Sequence, residues 1–189
     1  MNSSIQNNPC SEKRADRKKL SLRELTLFAM LGTLMYCSKI IMAILPNIHL
    51  LGMFIMTYTV VFRKKALIPL YIYILLDGLF GGFAPWWVPY LYVWTVLWGV
   101  TMLLPANLPR KKAAIIYPAV CCAHGLLFGT LYAPVQALIY GFNFKQMGAW
   151  ILSGLPWDLM HGAGNLVTGM LILPLSEVLR KLNQGFLKK

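Results

Sequence analysis

The chain has 189 residues, enough for one domain, of which 58% are hydrophobic and only 13% are charged. Soluble domains carry about a quarter charged residues, so this composition excludes an ordinary soluble fold and favours a protein whose apolar surface is solvated by lipid. The net charge of +12 would suggest nucleic-acid binding in a soluble protein, but the placement of the basic residues indicates topology signals and contacts with anionic membrane lipid instead.

Residues 1–20 are polar and basic, and we expect them to form a short, disordered cytoplasmic tail ahead of a membrane domain at 21–189. The apolar run that follows is about 24 residues long, too long for the core of a signal peptide. The four cysteines, Cys10, Cys37, Cys121 and Cys122, lack metal-ligand spacing. We expect small hydrophobic core residues there, with no disulfide, metal or cofactor.

Six apolar segments of helical length follow one another along the chain, several of them ended by Pro, Gly or Asn. The last apolar stretch is too long for one span, and proline fits the first turn of a helix better than its interior. We therefore expect a short interfacial segment at 144–153 and a sixth helix that starts near Pro156. The predicted helices are Leu22–Leu45, Ile48–Phe62, Ala66–Phe80, Val88–Leu104, Ala113–Tyr140 and Pro156–Leu182.

The basic residues fall in clusters that alternate with these helices. With six spans, 16 of the 18 Lys and Arg residues lie on one side of the membrane: at the N-terminus, at 63–65, at 110–112 and at 180–189. Because cytoplasmic loops are enriched in Lys and Arg, this predicts an all-α integral membrane protein with six transmembrane helices and both termini in the cytoplasm.

Few ionisable residues lie inside the predicted membrane region, where such groups are costly and tend to mark function. They are Lys39, His49, Asp77, His124, Asp158 and His161. The topology puts all of them except His124 in the outer half of the membrane. The role of His124, the deepest of the six, is left open.

Residues 156–165 hold the richest group of polar side chains. At helical spacing Trp157, Asp158, His161 and Asn165 are predicted to share one face, which would offer an aromatic plane, a carboxylate, an imidazole and an amide. The alternative is that Asp158 only complements a helix N-terminus and that His161 bonds to a neighbouring helix.

Aromatic residues extend this pattern. Trp87, Tyr90, Trp94 and Trp98 form one stripe on the fourth helix, and Tyr132 and Gln136 lie one turn apart on the fifth. An interfacial aromatic belt is the alternative. Aromatic planes with a few polar groups suit a flat heterocycle; acidic residues among them favour a cation, whereas Lys39 and three histidines could serve an anion. The predicted binding residues are Lys39, His49, Asp77, Trp87, Tyr90, Trp94, Tyr132, Gln136, Trp157, Asp158, His161 and Asn165.

No Walker motif and no HExxH motif occurs in the sequence, so the chain cannot itself drive transport with a nucleotide and carries no sign of a zinc hydrolase. Two alternatives to a binding protein stay open. One is an integral membrane enzyme that uses Asp158 and His161 as an acid–base pair. The other is a stand-alone small-solute carrier or channel.

In its layout, and in the stretches Pro46–Gly52 and Pro156–Gly162, the chain resembles the S component of an energy-coupling factor (ECF) transporter, a bacterial vitamin importer. The resemblance implies a six-helix bundle in the plasma membrane that holds a vitamin near the outside. The loop between helices one and two and the outer parts of helices four to six would supply the contacts. It also implies a binding subunit rather than an enzyme.

The partners that the resemblance implies are a transmembrane coupling subunit and two cytoplasmic ATPases. In that family a pattern of small residues on helix one docks on the coupling subunit. The nearest match here is Ala29 and Thr33, with Gly32 beside them. Small residues allow helices to approach closely, and ordinary packing inside the bundle is the alternative.

Overall fold

The computed structural model describes residues 20–45 and 47–187, and the side chains up to residue 185. The predicted tail up to residue 19, with Cys10 and five of the basic residues, lies outside this part of the chain, as do Pro46 and the last two lysines. The described residues are helical, with no strand among them. The helices are α1 (Leu22–Ile41), α2 (Leu51–Phe62), α3 (Leu67–Gly81), α4 (Tyr90–Leu103), α5 (Arg110–Leu126), α6 (Phe128–Tyr140), α7 (Phe144–Gly169) and α8 (Ile172–Leu187).

Within the described residues, two helical stretches are long and apolar enough to cross a membrane. One is α1 with the 3₁₀ turn that extends it, Leu22–Ile44, and the other is α5 with α6, Arg110–Tyr140. A third span results if α7 and α8, which meet at a bend of 48°, are counted together. The all-helical membrane character is thus supported, while α2, α3 and α4 have only 12 to 15 residues each.

The prediction that a sixth helix starts near Pro156 is wrong, because α7 runs unbroken from Phe144 to Gly169 with Pro156 in its interior. Its start is fixed by a capping box. The Asn143 side chain accepts from the Gln146 N–H at 2.9 Å, and the Gln146 side chain accepts from the Asn143 N–H at 2.9 Å. These bonds satisfy two backbone N–H groups at the start of the helix that have no carbonyl partner within it. The break falls instead at residues 170–171.

The predicted fifth helix, Ala113–Tyr140, begins three residues earlier and is interrupted at Leu127. The interruption has a local cause. The Gly129 N–H bonds to the side chain of Asp158 on α7 and not to a carbonyl of the preceding turn, so a new helix starts there.

The centre of the bundle is α2, of whose twelve residues nine are buried. It packs against α4, α5, α7 and α8, while α1 packs against α3, and α5 against α7. Glycines allow two of these contacts. A Cβ on Gly32 would lie 2.6 Å from Ile72 Cγ2 on α3, and a Cβ on Gly125 would lie 2.9 Å from the Cα of Gly162 on α7. Close approach at small residues is the usual way in which membrane helices pack.

Contacts between basic residues and neighbouring helices identify one end of the bundle. There the start of α1 meets the α2–α3 link, and the α2–α3 link meets the end of α4. The contacts are an ion pair of Lys65 with Glu24, a 2.7 Å hydrogen bond from Arg63 to the Met102 carbonyl, one of 3.3 Å from Arg180 to the Val60 carbonyl, and an ion pair of Arg110 with Glu177 at 3.3 Å. The opposite end carries the C-terminus of α1, the start of α2 and the C-terminus of α3.

Candidate functional site

A cleft of about 220 Å³ opens at the end opposite the basic one. Its walls come from the end of α1, the connection to α2, the first turn of α4 and the first turn of α6. The lining residues are Lys39, Met42, Ala43, Leu45, Asn47, Ile48, His49, Tyr90 and Phe128. Ligand pockets are usually about 300–1,000 Å³, so this cleft suits a compact ligand.

Lys39 carries the charge of the cleft. Its ammonium forms an ion pair with Asp77 on α3 and lies 5.3 Å from the ring centre of Trp86 and 5.7 Å from that of Tyr90. The Lys39 side chain is 31% exposed, whereas that of Asp77 is 3% exposed. The cleft therefore meets the ammonium group, and the carboxylate lies behind it.

Below the cleft, the fully buried ring of Trp94 is surrounded by other rings. The ring-centre distances to Trp94 are 5.3 Å for Phe128, 5.6 Å for His49, 5.6 Å for His124 and 5.8 Å for Tyr90. His161 packs beneath, 4.6 Å from His49 and 4.8 Å from Phe128. We call Trp94, His49, His124, Phe128 and His161 the aromatic box.

The aromatic box and the adjacent Asn165 hold six buried polar atoms that have no hydrogen-bond partner among residues 20–45 and 47–187. They are His49 Nδ1, Trp94 Nε1, His124 Nδ1, His161 Nδ1, His161 Nε2 and Asn165 Oδ1. Buried polar groups are normally paired, and each one left unpaired costs about 1–3 kcal/mol. Their concentration under a cleft indicates a place where the polar groups of a ligand, or water, are held.

Asp158 is engaged elsewhere. Its two carboxylate oxygens accept from the Gly129 N–H at 3.0 and 3.1 Å, so it caps the N-terminus of α6. This agrees with the alternative in which Asp158 only complements a helix N-terminus. The helix that it caps, however, is the neighbouring α6 and not its own. No hydrogen bond joins Asp158 to His161, whose ring nitrogens have no partner in the part of the chain that the structure describes.

Asn165 is also partly engaged, because its amide donates to the Cys121 carbonyl at 3.2 Å. The expectation that Trp157 shares a face with Asp158, His161 and Asn165 is wrong. The other three are buried, but the Trp157 side chain is 55% exposed. One residue along an α-helix turns by about 100°, which is enough to move Trp157 off the buried face.

Several predicted aromatic and polar residues stand beside the cleft without lining it. Trp87 donates to the Ile74 carbonyl at 2.8 Å. Tyr132 donates to the Trp86 carbonyl and stacks on Trp150 with ring centres 6.1 Å apart. Gln136 is buried one turn further along α6. These residues support the walls, while Lys39, His49 and Tyr90 are the predicted residues that line the cleft.

Sequence reasoning missed Phe128 and left His124 without a role. The two lie four residues apart, across the junction of α5 and α6, and both pack on Trp94. The i, i+4 spacing from a buried histidine was a usable signal. Apart from that spacing, nothing in the sequence separates Phe128 from the other phenylalanines. Asn47, which donates to the Trp157 carbonyl at 2.7 Å, was another signal, because it directly precedes the cleft residues Ile48 and His49.

The predicted docking residues divide into two groups. Ala29 and Thr33 are exposed on α1, whereas Gly32 is buried against α3. Gly32 therefore serves internal packing, and the surface available to a partner contains Ala29 and Thr33.

Other features of the described residues do not compete with the cleft. No three His, Cys, Asp or Glu side chains within 20–45 and 47–187 are arranged to hold a metal ion. A larger groove of about 840 Å³ between α1 and α8 is mostly aliphatic and lies at the basic end. None of the residues that line it holds a buried polar atom without a partner, in contrast to the residues beneath the cleft.

Comparison with known proteins gave no match: no family model, curated protein or solved structure is significantly similar to the chain.

Proposed function

We propose that this chain is the substrate-binding membrane subunit of an ECF-type importer and that it captures a vitamin or a related small heterocycle in the cleft. The observation that carries the proposal is the cleft together with the six unpartnered polar atoms beneath it. Such atoms reduce the stability of the empty protein, and a binding function gives a reason for them. A purely structural bundle gives none.

The proposed topology has six spans with both termini in the cytoplasm of a bacterial cell. It is supported by the gathering of basic residues at one end of the bundle, because basic residues favour the cytoplasmic side. The cleft at the other end then faces outward, where a substrate would be captured.

Three of the six segments are short for this topology. At 1.5 Å per residue, α2, α3 and α4 span about 18–23 Å, less than the roughly 30 Å of a typical hydrocarbon core. The most buried of them, α2, is enclosed by other helices and need not match the lipid. Local thinning of the bilayer accommodates the other two.

The energy for import would come from partners, since the sequence has no nucleotide-binding motif. A coupling subunit and two ATPases would supply it, and the exposed Ala29–Thr33 surface of α1 is the proposed docking face. The enzyme alternative is less well supported, because Asp158 is engaged with Gly129 and makes no hydrogen bond with His161.

Affinity purification of the full chain from its native membranes tests this function. We expect a membrane subunit and ATPase subunits to copurify with the wild type. Ala29→Leu should reduce their recovery, and Ala149→Leu, the same change at an exposed site on α7, should not. Recovery of a partner-free chain that turns over or transports a solute without ATP would overturn the proposal.

A further inference from the structure

Both carboxylates near the cleft contact groups of the protein, although one oxygen of Asp77 is buried with no hydrogen-bond partner among the described residues. Asp77 is paired with Lys39, and Asp158 caps Gly129. Neither lines the cleft, and within the described part of the chain the one charged side chain that does is Lys39. An ammonium group can donate three hydrogen bonds, and Asp77 takes one of them. A cationic ligand would therefore meet a like charge first, because the Asp77 carboxylate is 3% exposed and lies behind the ammonium.

The N-terminus of α2, which follows the cleft residues Ile48 and His49, adds positive potential. α2 starts at Leu51, two residues after His49, and its cap residue Leu50 makes no side-chain hydrogen bond to the first turn. The first N–H groups of a helix carry a partial positive charge, which attracts anions. By contrast, Asp158 caps α6 and Asn143 caps α7.

Of the aromatic box, His49 and Phe128 line the cleft, and the rings packed behind them carry further donors and acceptors. The Trp94 indole N–H can only donate. His124 Nε2 lies 3.0 Å from the Val93 carbonyl, so it donates there and leaves Nδ1 as an acceptor in the neutral ring. A neutral His161 supplies one donor and one acceptor. This pattern matches the edge of a heteroaromatic ring, which carries ring nitrogens, N–H groups or carbonyl oxygens.

We infer that the ligand is a flat heteroaromatic acid, with its carboxylate or phosphate at Lys39 and its ring directed past Tyr90 and Phe128 into the aromatic box. The inference rests on the proposed binding function and specifies the charge of the ligand, which the sequence left open. The acid group accepts a charge-assisted hydrogen bond from the ammonium. The polar edge of the ring bonds to unpartnered atoms of the aromatic box, beginning with His49, which lines the cleft.

Matched sets of compounds that differ in charge test this inference. Thermal unfolding of the full chain in detergent is measured with nicotinate, nicotinamide and 1-methylnicotinamide, and with larger heteroaromatic acids, their amides and their cationic analogues, including phosphate esters. We expect the stabilising compounds to be acids, and the amide and cation of each set to bind at least about tenfold more weakly, as for the loss of a charged hydrogen bond.

Variants of the ion pair separate the role of the ammonium from its structural role. Lys39→Met should abolish stabilisation by the acid, and Lys39→Arg should retain part of it. The double variant Lys39→Met with Asp77→Asn removes the carboxylate that the single change leaves unpaired, and we expect it to bind the acid as poorly as Lys39→Met. Lys145→Gln, a change at an exposed lysine on α7, is the control and should bind normally.

The outcomes are distinct. Recovery of acid binding in the double variant would show that the Asp77 charge caused the loss, and would overturn the inference. Binding of neutral or cationic heterocycles in preference to acids would overturn it as well, while leaving the proposed binding function intact. No binding by any compound of the panel, with no small molecule copurified, would count against both.

Discussion

At the level of single residues, stability and function conflict most clearly at His161. His161 is 1% exposed, and neither ring nitrogen has a partner among the described residues. A phenylalanine of similar shape would leave no polar atom unpaired there. Removing an unsatisfied buried polar group normally stabilises a protein.

We therefore expect His161→Phe to raise the free energy of unfolding by about 1–2 kcal/mol and to abolish ligand binding. Reversible unfolding in detergent and a binding assay measure the two effects. His124→Phe is the control, because it removes the hydrogen bond to the Val93 carbonyl and should bring no gain in stability. A destabilised His161→Phe protein would show that His161 is a structural residue.

Some residues of the candidate site could be predicted from the sequence for a clear reason. Lys39, His49 and His161 stand out because ionisable groups are rare in apolar segments. Trp157 was misplaced, since the face of a helix that is buried depends on its neighbours. The engagement of Asp158 with Gly129, 29 residues away, is a tertiary contact that no local pattern reveals.

At the level of helices, local signals predicted most of the elements and long-range packing set the rest. The ends of α2, α3 and α4 lie within three residues of prediction. The Asn143–Gln146 capping box was present in the sequence, but the prediction followed Pro156 and did not consider the cap. Membrane helices tolerate interior proline better than soluble ones, because other groups satisfy the freed backbone.

Pro156→Ala tests the continuity of α7. Alanine would restore a helical N–H at an exposed position, and interior proline costs about 3 kcal/mol in a helix. We expect a higher melting temperature and unchanged ligand binding. A neutral or lower melting temperature would instead favour a helix that starts at residue 156, where proline is well placed.

Substitution of Gly32 tests the contact between α1 and α3. A Cβ there would lie 2.6 Å from Ile72 Cγ2 and 2.9 Å from the Pro69 carbonyl oxygen, so Gly32→Ala should lower the free energy of unfolding by about 1–3 kcal/mol. Gly99→Ala on α4 meets nothing within 4 Å and should be neutral or slightly stabilising. Equal unfolding curves for both variants would contradict the packing of α1 on α3.

At the level of the whole molecule, hydrophobicity and charge predicted a helical membrane protein, and the all-helical fold with two or three long apolar spans agrees with that coarser statement. The count of six spans belongs to the proposed topology and requires α2, α3 and α4 to cross the membrane although they are short. Basic residues at one end and the cleft at the other give the bundle its proposed orientation.

Cysteine labelling tests that orientation. With the native cysteines replaced by alanine, Lys145→Cys should react with a membrane-impermeant maleimide in intact cells. Lys64→Cys and Lys111→Cys should react only after permeabilisation. A three-span protein made of α1, α5 with α6, and α7 with α8, with the same cytoplasmic N-terminus, would show the reverse pattern.

The central claim is that the cleft between Lys39 and the aromatic box holds a small heterocyclic ligand. Native mass spectrometry of the full chain, purified from its own membranes in mild detergent, tests this most directly. We expect a 1:1 complex with one small heteroaromatic molecule, which is lost in Lys39→Met and in His161→Phe and kept in Lys145→Gln. A chain that carries no such molecule, or that keeps it equally in all three variants, would contradict the claim.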